Sequence, residues 1–125
     1  MLNLLIIGCG GFLGAISRFL VSELVYTFIG AGMPYGTLAV NLSGSFLLGT
    51  VAQIGLSGNL LPASINSFVG IGFLGAFTTF STFSVQTLEL LESGSLLKAF
   101  LNIFLNVTLC LIGAWGGFSA GRLLT

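Results

Sequence analysis

Four mostly apolar stretches follow one another in this chain with only short polar breaks between them. A helix needs roughly 20 such residues to cross the hydrocarbon core of a bilayer. No water reaches the backbone at that depth, so a spanning segment must satisfy its own polar groups, which leaves α-helices and closed barrels. The apolar residues run continuously instead of alternating, which argues against barrel strands. The expected helices cover about residues 2–28, 34–54, 62–91 and 96–123, in one transmembrane domain spanning residues 1–125. Pro34 and Pro62 suit the first turns of the second and third. Gly55-Leu56-Ser57-Gly58-Asn59 and Glu92-Ser93-Gly94-Ser95 form the loop and turn around the third. Charged residues make up 5% of the chain, against about 25% in soluble domains. The fold class is an all-α integral membrane protein.

The same scarcity of charge excludes several functions. Formal net charge is zero, and nucleic acid is not expected as a partner, because phosphate binding needs clustered Lys and Arg. With no histidine in the chain, His-built zinc sites and His acid–base catalysis are excluded. Cys9 and Cys110 lie inside apolar segments without CxxC spacing and read as small hydrophobes, with no disulfide and no redox role. The N-terminus lacks the basic region and small-residue cleavage site of a signal peptide, so the first segment is expected to remain.

Glycine is used 19 times, much of it inside the expected helices. In lipid, small residues let helix backbones approach, and most of these glycines read as packing positions. Gly72 and Gly75 stand apart, because they precede a hydroxyl-rich run where a helix could break and free carbonyls for a cation. Orientation follows the placement of Lys and Arg. Lys98 and Arg122 fall at opposite ends of the fourth span and cancel, and Arg18 within the first is a weak vote. A chain so balanced can insert both ways round, and four helices are few for enclosing a pore. Both points favour an antiparallel, dual-topology homodimer.

The third segment carries Gly75-Ala76-Phe77-Thr78-Thr79-Phe80-Ser81-Thr82-Phe83-Ser84. Hydroxyls at membrane depth need a partner, a cavity or a wet path. Phe77, Phe80 and Phe83 repeat every third residue, which keeps them near one face. Ring edges are electropositive and could attract a small anion in a pore. Asn41, in the second segment, could knit helices together or offer two amide hydrogens to an anion. Asn102 and Asn106 are four apart on one face of the fourth segment, with Cys110 a turn further on, as a wetted stripe would be. Arg18 reads either as a residue that reaches the interface or pairs with Glu23, or as an electropositive vestibule. Glu89, Glu92 and Lys98 form a rim.

These residues resemble the Fluc, or CrcB, family of fluoride channels. Gly10-Gly11-x-x-Gly14-x-x-x-Arg18, Gly36-Thr37-Leu38-x-x-Asn41-x-x-Gly44 and Gly75-x-x-Thr78-Thr79-Phe80-Ser81-Thr82-Phe83 are similar to its three helix motifs, the last being the most specific. The resemblance implies a channel and no enzyme: a passive, fluoride-selective export path through the cell (inner) membrane that limits fluoride toxicity. It implies an antiparallel dual-topology homodimer with two pores, a third helix broken mid-membrane and a structural sodium ion at the dimer centre. Gly75 and Thr78 would offer backbone carbonyls to the sodium. Phe80 and Phe83 would be pore phenylalanines, with Asn41, Ser81, Thr82, Asn102 and Asn106 along the anion path and Arg18 at the vestibule. The residues alone reach only a polar path with an aromatic constriction; fluoride comes from the resemblance.

Two other readings compete. A small dual-topology, proton-coupled multidrug transporter would also have four spans, but it needs a mid-span carboxylate, and Glu23 lies near a helix end. A membrane accessory subunit would use the polar residues for packing alone.

Overall fold

The computed structural model describes residues 1–58 and 61–125. Among the described residues all regular structure is helical: α1 (Leu2–Ile29), α2 (Tyr35–Leu56), α3 (Ala63–Ile65), a π-helical stretch (Asn66–Leu74), α4 (Gly75–Phe77), α5 (Phe80–Glu92) and α6 (Leu96–Leu123). Among the described residues four segments are long and apolar enough to cross a membrane, and α3 through α5 together make up the third, Ala63–Glu92. The helix of the second span continues through Gly55 and Leu56, so the loop after it begins at Ser57, and Asn59 lies outside the described residues. The turn before α6 contains Gly94 at φ 78°, a left-handed conformation that glycine adopts without steric cost.

The interior inverts what a soluble bundle would show. Large apolar side chains such as Leu4, Phe12, Phe100 and Leu111 point outward, as they do where lipid is the solvent. Small and polar residues fill the inside: Gly10, Gly14, Gly44, Gly113 and Gly117 are buried, as are Thr37, Thr87, Asn102 and Asn106. Lipid supplies no hydrophobic drive between helices, so association relies on close van der Waals packing and interhelical hydrogen bonds.

The glycines permit that packing. A Cβ on Gly10 would collide with the carbonyl oxygen of Phe68, and one on Gly14 with that of Phe73. On the other side of the bundle, a Cβ on Gly117 would collide with the Phe46 carbonyl, joining α6 to α2 backbone to backbone. The π-helical stretch lies against α1 here. Its wider turn is an uncommon conformation often found at functional positions, and it leads directly into the residues considered next.

These contacts make a sharp contrast between glycines. Gly14→Leu should abolish the monodisperse gel-filtration peak, because the added side chain has only the Phe73 backbone to displace. Gly8→Ala meets nothing within 4 Å and should keep that peak. Normal elution of Gly14→Leu would show that α1 does not pack on the π-helical stretch.

Candidate functional site

Helical geometry stops at Phe77 and resumes at Phe80. Thr78 (φ −80°, ψ 155°) and Thr79 (φ −151°, ψ 112°) between them are extended. β-branched residues accept this conformation readily, and both hydroxyls reinforce it. Thr78 Oγ1 donates back to the Leu74 carbonyl at 3.1 Å, alongside the last helical amide bond, Thr78 N–H to Leu74 O at 3.1 Å. Thr79 caps α5, its Oγ1 accepting from the Thr82 amide at 3.2 Å.

The interruption frees backbone groups that must find other partners, and Asn41 of α2 provides them. Its Oδ1 accepts from the Thr79 amide at 2.7 Å, and its Nδ2 donates to the Thr79 carbonyl at 3.0 Å. One side-chain amide thus stands in for two helical neighbours. Because the Thr79 amide turns to Asn41, the Gly75 carbonyl loses its helical donor. Gly44, one turn beyond Asn41, makes the space: a Cβ there would meet the methyl of Thr78.

A ladder of amides continues from this clamp. Asn41 Nδ2 also donates to Asn106 Oδ1 at 3.3 Å. Asn106 Nδ2 donates to the Asn102 carbonyl at 2.9 Å and to its Oδ1 at 3.0 Å. Asn102 Nδ2 donates to Thr87 Oγ1 at 2.9 Å, and Thr87 donates to the Phe83 carbonyl at 2.7 Å. No buried side-chain nitrogen or oxygen among the described residues lacks a partner. The ladder ties α2, α5 and α6 around the extended residues.

Beside the clamp is an open cavity of about 440 Å³. Its polar wall comprises Asn41, Ser45, Thr78, Thr79, Asn106 and Cys110, and Phe80 and Phe83 also line it. The two rings are 5.4 Å apart between centroids and inclined at 50°. No lining residue carries a charge.

A family model described as CrcB-like protein, Camphor Resistance (CrcB), matches residues 5–118. The chain belongs to this family. Similar proteins carry the name Fluoride-specific ion channel FluC. One from Syntrophotalea carbinolica is 50% identical over 123 residues, covering 98% of this chain and 100% of the relative. One from Campylobacter jejuni is 53% identical over 119 residues, covering 94% of this chain and 97% of the relative. A third, from Methylococcus capsulatus, is 49% identical over 123 residues, and this chain spans 54% of its length. Four spanning segments and membership of the CrcB-like family make the chain a multi-pass membrane protein.

In this CrcB-like chain the residues singled out from sequence separate into groups. Asn41, Thr78, Phe80, Phe83 and Asn106 share the cavity. Ser81 and Thr82 line a groove with Val85, Gln86 and Glu89. Asn102 borders neither. It is 2% exposed and knits α5 to α6, so the expected wetted stripe is a hydrogen-bonded ladder at that position. The amide hydrogens of Asn41, expected to suit an anion, are donated within the chain, as are those of Asn106, expected on a wetted stripe. Nor do the three phenylalanines share a face, because the extended residues reset the helical register. Phe77 is buried and stacks on Phe73, Phe83 is buried, and Phe80 is 78% exposed. Arg18 is half-buried on α1, Glu23 is exposed, and Gly75 is exposed beside the interruption.

Sequence reasoning missed Gln86. Thr37 Oγ1 donates to its Oε1 at 2.6 Å, and its Nε2 donates to the Tyr26 hydroxyl at 3.3 Å, joining α1, α2 and α5. Like Asn41, Gln86 is an amide inside a span and needs a partner, which is the signal in the sequence that marks it. Thr87 and Ser45 were missed because a lone hydroxyl in an apolar helix commonly bonds its own backbone.

Removing the clamp tests its structural weight. Each buried backbone group left unpaired costs about 1–3 kcal/mol, and Asn41→Ala strips partners from both groups of Thr79. Asn41→Ala should lower the thermal denaturation midpoint in detergent. Ser43→Ala, on the same helix, loses only bonds to its own α2 backbone and should leave the midpoint near wild type. Equal midpoints for Asn41→Ala and wild type would refute the clamp.

Proposed function

We propose that this chain is a fluoride-selective passive channel that exports fluoride from the cytoplasm across the cell (inner) membrane and so limits its toxicity. The observation that carries the reading is 53% identity, over almost the whole of both chains, to a protein named as a fluoride-specific ion channel. The cavity supplies a physical rationale. Fluoride is small and strongly hydrated, so a path for it must replace water with hydrogen-bond donors yet hold the ion weakly enough to release it. The uncharged wall meets the second requirement, since a fixed cation would trap the anion, and the electropositive edges of the phenylalanine rings can attract it.

In this reading Phe80 and Phe83 form the aromatic part of the pore. Ser81 and Thr82 continue the path along α5, where Thr82 Oγ1 accepts from Thr79 and keeps its own proton free. Asn41 and Asn106 belong to the pore wall and hold its shape, with Asn102 supporting them from behind. Arg18 draws anions to the vestibule by field focusing. The functional unit is an antiparallel, dual-topology homodimer with two pores. The exposed Phe80 and the open side of the cavity are surfaces that a second copy would complete.

The interruption, placed at mid-membrane, offers a site for a structural sodium ion at the dimer centre. The donors fit such an ion. The Gly75 carbonyl has no helical donor and sits on an exposed residue, as an interface ligand must, and Thr78 follows it at the end of α4. Carbonyl oxygens are hard ligands suited to a monovalent cation, and they lie at the helix terminus whose dipole favours positive charge. The Gly75 and Thr78 carbonyls would coordinate a sodium ion there, and its charge would offset their aligned dipoles where two chains meet.

The proton-coupled multidrug alternative gains no support, because no carboxylate lines the cavity. In liposomes the purified protein should release fluoride rapidly and passively, and far faster than chloride. Equal rates for the two anions would overturn selectivity. Phe83→Ile should reduce fluoride efflux strongly while the dimer survives gel filtration, whereas wild-type efflux would return the ring to a packing role.

A further inference from the structure

Six residues of the cavity wall carry potential side-chain donors: Asn41, Ser45, Thr78, Thr79, Asn106 and Cys110. Most of those donors are already engaged. Asn41 donates to Thr79 and Asn106, and both Asn106 bonds run to Asn102. The Thr78 hydroxyl donates to Leu74 and the Thr79 hydroxyl to Thr82. A thiol is a weak donor, which leaves the hydroxyl of Ser45.

Ser45 differs from its neighbours on α2. Ser43 Oγ donates to the Ala39 carbonyl at 2.6 Å, and Thr50 Oγ1 donates to the Phe46 carbonyl at 3.0 Å, each four residues back. Such back-bonding is how a hydroxyl is usually satisfied inside an apolar helix. Ser45 makes no such bond to its own helix. It is half-buried at the cavity, and its side-chain neighbour across the α2–α6 contact is the Cys110 thiol. Sulfur is a weak acceptor, so the hydroxyl can turn to a stronger one at little cost. Beyond Ser45 the wall is apolar, with Leu48, Leu111 and Ala114. The last strong donor on this side therefore stands where an anion would leave the amide-rich end.

We infer that Ser45 is an anion-coordinating residue of this cavity, its hydroxyl donating directly to the passing ion. The inference rests on the proposal that the cavity is a fluoride path, and it assigns the donor role there to a residue outside the amide ladder. The amides shape the wall, and Ser45 meets the ion. A thiol neighbour is a weak competitor for the hydroxyl, and a single neutral donor holds a small, hard anion weakly enough for release.

The test compares Ser45→Ala with Ser45→Thr in liposome efflux measurements across a range of fluoride concentrations. Ser45→Ala should slow fluoride efflux about tenfold or more, the effect of losing one hydrogen bond to a charged group, and should raise the fluoride concentration at half-maximal rate. Ser45→Thr keeps the hydroxyl and should retain most of the wild-type rate. Where Ser45→Ala does not elute as the wild-type species, Ser45→Cys, a weak donor of similar shape, takes its place with the same expected loss. Wild-type rate and half-saturation in the donor-deficient variant would overturn the role of Ser45 and leave the channel reading intact. Loss of rate in both Ser45→Ala and Ser45→Thr with unchanged half-saturation would also overturn it, marking Ser45 as a packing residue. A wild-type protein that passes no fluoride would instead sink the channel reading itself.

Discussion

The hydrogen bonds between Asn41 and the backbone of Thr79 are the constraint on which the site depends. A spanning helix normally closes its own amide and carbonyl ladder, and lipid offers no substitute when it does not. Two extended residues inside an apolar segment are stable here because a side chain on another helix accepts from the amide and donates to the carbonyl of the same residue. From that substitution follow the free Gly75 carbonyl, the reset register of the phenylalanines and the cavity beside them.

The clamp in turn requires close helices. Asn side chains are short, so α2 must lie near the interruption, and Gly44 allows this by leaving room for the Thr78 methyl. On the far side, glycines of α1 press against carbonyls of the π-helical stretch. The polar network and the glycine packing are thus one design. Hydrogen bonds between transmembrane helices are individually modest, about 0.6 kcal/mol on average in one well-measured case. A ladder of amides gains its effect by leaving none of its buried members unpaired.

Much of the fold is legible in the sequence. Continuous apolar segments bounded by Pro, Gly and Ser place four helices, and the glycine clusters mark where backbones meet. The location of the site is legible too, since hydroxyls beside Gly75 in a span require an explanation. The assignment of donors is not. Periodicity treats Phe77, Phe80 and Phe83 as one stripe because it assumes an unbroken helix, and no pattern along the chain states where helical geometry pauses. Nor does sequence reveal that Asn41 and Asn106 give their hydrogens to partners 38 and 4 residues away. Such pairings depend on which faces meet in space.

The separation of the clamp's two halves along the chain has a consequence for biogenesis. A polypeptide is made from its N-terminus, and structure accrues in that order. Asn41 is therefore synthesised before Thr79, and its amide is available when the residue that needs it arrives. The reverse order would leave an interrupted helix with open backbone groups and no companion. Asn106 follows last and completes the ladder from the other side. The order of codons thus places the side chain that receives Thr79 ahead of the backbone that would otherwise be stranded.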